Sequence, residues 1–133
     1  MSTEAAGAVA ADPTAQQLAL QIVYLKDCSF EAPRGPRLDT GWNPKVNLDL
    51  NTTVSSLNDE VREVLLSVTV TAKEGEQTAF IVEVKQAGAF LIRNLSDEDQ
   101  KRALTSVCPT MLFPYARAAV SNLVTLVGFP QFL

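Results

Sequence analysis

Histidine is absent from this chain of 133 residues. Its absence excludes Ser-His-Asp and Cys-His catalysis, every histidine-ligated metal site, and the side chain that most readily moves protons near neutral pH. Cysteine is scarce as well. Cys28 and Cys108 stand far apart without C-x-x-C spacing, so they read as free, partly buried thiols in a reducing cytosol. Basic charge is in deficit, with 11 Lys and Arg against 15 Asp and Glu and a net charge of -4. That balance argues against a nucleic-acid binder, which must neutralise phosphates. The six glycines are scattered and form neither G-x-G-x-x-G nor a P-loop. Long hydrophobic runs are missing too: residues 118–129 are too short for a bilayer and are interrupted by Ser121, Asn122 and Thr125. The first 15 residues hold six alanines but no lysine or arginine, which is unlike a signal peptide. Residues 1–16 are read as a disordered lead-in, and a soluble chain without membrane insertion is expected.

What remains is a single domain's worth of apolar sequence, 47% of the residues. A chain of this length buries roughly two-thirds of its unfolded surface, enough for a core without staples. From Leu18 to Phe30 the even positions carry Leu18, Leu20, Ile22, Tyr24, Cys28 and Phe30, predicting a strand with one buried face. Val23 and Leu25 make the middle of its other face apolar, whereas Asp27, Ser29 and Glu31 make its far end polar. Residues 32–44 are rich in breakers (Pro33, Gly35, Pro36, Gly41, Pro44) and form a long loop that also holds Leu38 and the only tryptophan, Trp42. Val46, Leu48 and Leu50 then alternate with Asn47, Asp49 and Asn51 in a second strand. A third runs from Val61 to Ala72, with Val64, Leu66, Val68 and Val70 facing one way. After a hairpin at Lys73–Glu76, a fourth carries Phe80, Val82 and Val84 inward and Ile81, Glu83 and Lys85 outward, with a bulge or break expected at Gly88.

Ser96 followed by Asp97, Glu98 and Asp99 marks a helix start. That helix is expected to end before Pro109, and a second to begin around Thr110–Phe113 and run to Val127. The fold class is therefore α+β, a four-stranded antiparallel sheet with helices packed on one face. The second helix is apolar around most of its circumference, including Val120, Leu123, Val124 and Val127. It calls for a sheet on one side and another subunit on the other.

Two groups of residues invite a functional reading. Asp27, Glu31 and Glu83 fall on neighbouring outward positions, and paired carboxylates can act as acid and base. A solvated sheet face explains them without catalysis. Trp42 and Leu38 in a loop, with Phe113 and Tyr115 beside two prolines, suit an adaptable apolar groove, or ordinary core filling. Arg34, Arg37 and Lys45 near Trp42 suggest base stacking, which the acidic balance opposes.

Several of these segments together resemble the SecB family of bacterial protein-export chaperones. They are Ile22–Pro33, Trp42–Leu50, Val68–Ala72, Thr78–Phe80 and above all Cys108-Pro109-Thr110-Met111-Leu112-Phe113-Pro114-Tyr115-Ala116-Arg117. The likeness runs in order from about residue 20 to the end. It implies a cytoplasmic homotetramer, a dimer of dimers, that holds unfolded precursor polypeptides and delivers them to the translocation ATPase SecA. No enzymatic activity, cofactor or metal is implied. SecA would contact Asp27, Glu31, Ile81 and Glu83. Clients would lie in a groove lined by Leu38, Trp42, Val46, Leu48, Leu50, Phe113 and Tyr115. Subunits would meet through Ile22, Val23 and Tyr24 of the first strand and Val120, Leu123, Val124 and Val127 of the long helix. Residues 17–133 would form the chaperone domain, without the further helix and acidic tail that follow in family members. Two alternatives stand beside this reading: a chaperone dedicated to an antitoxin partner, and a small oligomeric carboxylate enzyme.

Overall fold

A computed structural model describes residues 14–35 and 43–129. Four strands, β1 (Gln17–Glu31), β2 (Lys45–Ser56), β3 (Val61–Glu74) and β4 (Gln77–Arg93), form one antiparallel sheet in the order β1-β4-β3-β2. β1 and β2 lie at opposite edges, about 14 Å apart at strand spacing. The lead-in to residue 13 and the loop residues Leu38 and Trp42 lie outside the described residues.

The β3–β4 connection is the expected hairpin. Glu74 pairs with Gln77, and Gly75 between them takes a φ of 62°, a left-handed conformation suited to glycine at the first turn position. The inner and outer faces of β3 and β4 follow the alternation in the sequence. Val64, Val70, Phe80, Val82 and Val84 are fully buried, and Phe30 and Phe80 stack at 5.3 Å.

β1 departs from its predicted phase. Its pairing with β4 skips a residue between Leu20 and Ile22 and again between Leu25 and Asp27. Each bulge reverses the alternation, so the inward positions are Leu18, Leu20, Val23, Leu25, Cys28 and Phe30. Ile22 and Tyr24, read as inward, face the opposite side, and Ile22 is 57% exposed. β4 also differs from expectation, because it runs unbroken through Gly88. A Cβ there would come within 2.8 Å of Leu112 Cδ2, so the glycine admits the helix rather than breaking the strand.

The helical part is one run instead of two separate helices. α1 (Asp97–Arg102) starts at Ser96, whose hydroxyl accepts from the Asp99 N–H at 3.1 Å. A π-helical turn, Ala103–Val107, leads directly into α2 (Cys108–Leu126). The wider turn, with the Cys108 N–H bonded to Ala103 C=O, gives the Pro109 ring room that α geometry would deny it. Pro114 also lies within α2, in its second turn.

α2 buries Cys108, Leu112, Ala116, Val120 and Val124 on the sheet, every fourth residue. Burial pushes the Cys108 thiol up to about 11, so it is inert packing, whereas Cys28 is exposed. The helix ends by bonding Phe129 N–H to Val124 C=O and Gly128 N–H to Thr125 C=O, with Gly128 at a φ of 92°. This turn swings Phe129 into the core beside Phe80, 5.0 Å between ring centroids.

Candidate functional site: an apolar cleft and an acidic sheet face

The sheet is wider than its cover. A helix is about 10–12 Å across, and four strands span more than that. α2 packs on β4, β3 and the near side of β1, so the inner face of edge strand β2 overhangs. Val46, Leu48, Leu50 and Val54 point inward by register, yet Leu50 is 52% exposed and Leu48 45%. Between this overhang and the start of α2 lies a cleft of about 650 Å³, lined by Leu50, Thr52, Leu66, Pro109, Phe113 and Pro114 among others. The structure thus brings Leu50 and Phe113 together. Val46 and Leu48 continue the same strip along β2. Tyr115 lies elsewhere: two residues from Phe113 is about 200° around the helix, and its side chain is exposed on the other flank. Leu66, Pro109 and Pro114 were missed as lining residues. The two prolines were visible in the sequence as helix breakers and as neighbours of the groove aromatics, but not as lining residues themselves.

On the opposite face of the sheet, the end that carries Asp27 and Glu31 is polar. By register Asp27 stands opposite Lys85, Ser29 opposite Glu83, and Glu31 opposite Ile81. The same rows continue on β3 through Ser67, Thr69 and Thr71, where the Thr69 hydroxyl donates to Glu83 Oε2 at 3.3 Å. Asp27, Glu31, Ile81 and Glu83 therefore share one open surface. No three of His, Cys, Asp and Glu among the described residues form a group able to hold a metal ion.

Farther along this face is a network that sequence reasoning missed. Glu63, on the central strand β3, is buried. It accepts from Lys26 Nζ at 2.8 Å and from the Tyr24 hydroxyl at 2.5 Å. Both partners reach it across β4, where the intervening outward residues are Ala87 and Ala89. Two alanines at outward positions of a central strand were the available signal. The Lys26 hydrogen bond, then that of Tyr24, holds the Glu63 carboxyl below its usual range. Burial, with the Glu63 contact second, pushes Tyr24 up to about 12. The signs give two limits to stability. Glu63 contributes above the ordinary carboxylate range, and that contribution is lost as pH falls through its lowered pKa. Tyr24 contributes below the ordinary tyrosine pKa of about 10, and its contribution is lost as pH rises toward its folded value. Denaturant midpoints measured against pH are expected to fall less steeply between about pH 10 and 12 for Tyr24→Phe. The acid limb should flatten for Glu63→Gln.

The expected subunit contacts divide differently from their prediction. Val120 and Val124 are fully buried within the chain, so their side chains are spent on its own core. Leu123 packs partly against that core, and Val127 is exposed. Val23 faces the core and Tyr24 bonds Glu63, leaving Ile22 as the exposed member of its trio. The outer flank of α2 carries Met111, Tyr115 and Leu126 instead, the last 81% exposed. No helix among the described residues is long and apolar enough to cross a membrane.

The backbone matches a Mycobacterium tuberculosis SecB-like chaperone, solved in complex with a ChAD peptide from the HigA1 antitoxin. The TM-score is 0.74 at 15% identity, over 86% of this chain and 87% of that one. The fold is SecB-like. Sequence carries the assignment further, because the family model described as preprotein translocase subunit SecB matches residues 11–133. The protein-export protein SecB of Pseudomonas fluorescens is 46% identical over 132 residues, 98% of this chain and 83% of that protein. That of Pseudomonas aeruginosa is 48% identical over 133 residues, 98% and 82%. The chain belongs to the SecB family. These are the names of export proteins and of a chaperone, not of enzymes.

Proposed function

We propose that this chain is a cytoplasmic export chaperone that holds unfolded precursor polypeptides in the β2–α2 cleft and hands them to the translocation ATPase SecA through its acidic sheet face. The observation that carries the reading is the uncovered inner face of β2. A strand with Val46, Leu48 and Leu50 facing inward, and no helix above it among the described residues, offers apolar surface to a partner lacking a fixed shape. Such a surface reads hydrophobicity and extendedness, not sequence, which suits many clients. The solved SecB-like relative is seen with a bound peptide, and the family relatives are export proteins by name.

Asp27, Glu31 and Glu83 beside half-buried Ile81 would steer a basic partner and fix its orientation, with salt weakening the contact. Assembly as a dimer of dimers would use the edge of β1 and the exposed flank of α2. Four clefts along one polypeptide raise affinity through effective concentration, without a tight site anywhere. The test is co-elution. A slowly folding precursor, diluted from denaturant at micromolar concentration, should travel with the chaperone on a sizing column, and its native form should not. Native mass spectrometry should count four chains. A precursor that elutes alone overturns the capture reading.

A further inference from the structure

The outward direction of Asp27 and Glu31 depends on one extra residue in β1. Before it, Val23 and Leu25 face the core; after it, Cys28 and Phe30 do. Without Lys26 as that extra residue, the outward series Ile22, Tyr24 would continue through Lys26, Cys28 and Phe30. Asp27 and Glu31 would then turn toward the core. A bulge that re-aims side chains in this way needs support, because β1 is an edge strand with one neighbour.

Support comes from both faces. On the outer side Glu63 grips Lys26 and Tyr24, the bulge residue and a residue just before it, from two strands away. On the inner side the buried amide of Gln86 donates from Nε2 to the Tyr24 carbonyl at 3.0 Å. Gln86 and Glu63 are the two polar residues buried in the described chain, and both are spent on this one bulge.

We propose that Lys26, Glu63 and Gln86 are positioning residues for the SecA-docking face: they hold the bulge at Lys26 so that Asp27 and Glu31 stand in register with Glu83 and Ile81. The inference rests on the docking reading given above. Its physical content is order established before binding, so that the partner does not have to supply it.

Charge makes the test decisive. Lys26→Met removes a positive charge from an acidic face, so electrostatics alone would tighten binding to a basic partner. Positioning requires the opposite sign. Purified SecA titrated with Lys26→Met is expected to bind about fivefold more weakly, through faster dissociation, the size of about 1 kcal/mol of lost order at 1.4 kcal/mol per tenfold. The charge-neutral Gln86→Met should weaken binding similarly. In both chains the amides of residues 27–31 should exchange hydrogen faster, while capture of an unfolded precursor is kept. If Gln86→Met does not fold, Glu63→Gln takes its place. Parental or tighter SecA binding by Lys26→Met overturns the proposal. Asp27→Ala separates the two ideas: parental affinity in that variant sinks the docking reading, and unchanged exchange at residues 27–31 in Lys26→Met then sinks the clamp as well.

Discussion

Gly88→Val is expected to leave the chain unable to hold α2 on the sheet, and Gly88→Ala to lower its stability measurably. Gly88 lies under the helix, paired with Val23 on one side and Val64 on the other. A methyl there would meet Leu112 Cδ2 at 2.8 Å, Phe90 Cε1 at 2.9 Å and Leu20 Cδ1 at 3.1 Å. Leu112 and Phe90 are fully buried and cannot swing aside. Overpacking of this kind costs about 1–3 kcal/mol, more than the gain of about 0.4–1 kcal/mol that alanine brings by stiffening the unfolded chain. For a domain of this size that is a fall in melting temperature of roughly 3–10 °C. Valine adds two more carbons at the same spot, which a marginal stability of about 5–15 kcal/mol tolerates poorly. Thermal and denaturant unfolding followed by circular dichroism measure both. An alanine variant as stable as the parent would mean that the helix can lift without loss.

Leu50→Asp is the variant expected to change client capture most while leaving the fold intact. Leu50 is 52% exposed at the mouth of the cleft, so its replacement touches little of the core. Surface changes of this kind usually stay within about 0.5 kcal/mol of parental stability. In the complex, the remaining half of the leucine would be covered by client, worth roughly 1 kcal/mol. An aspartate there must also be stripped of water against an apolar partner, which adds to the loss. Capture should weaken at least about tenfold per cleft, and further where several clefts share one polypeptide. A fluorescently labelled unfolded precursor titrated with both chains reads this directly. Equal affinities would place the clients elsewhere on the molecule.

The parts of the fold that were legible are those in which a local pattern meets no competing demand. β3 from Val64 and β4 as far as Lys85 alternate cleanly, because both are central strands with the core on one side. Their inward residues could be named from the sequence, and Val64, Val70, Phe80, Val82 and Val84 are fully buried. The Ser96 cap was equally local, a hydroxyl three residues before the N–H it accepts. β1 was misread because its two bulges answer to β4 and to Glu63, groups distant in sequence. The helix was read as interrupted because proline counts against α geometry, and a single π-helical turn removes that objection. Val120 and Val124 appeared available to another subunit because the sequence does not say which stripe of an all-round apolar helix the sheet will claim.

By itself the sequence determined the class of fold and what the protein lacks. With no histidine, scattered glycines and a net charge of -4, it pointed away from catalysis and nucleic acid, and its apolar alternation required an antiparallel sheet. Only the tertiary structure decided which apolar residues are left over. One helix cannot cover four strands, so among the described residues the inner face of β2 stays open beside Pro109 and Phe113. The tertiary structure also decided how the acidic residues come to share a face, because the placing of a bulge depends on groups across the sheet and not on its neighbours in the chain.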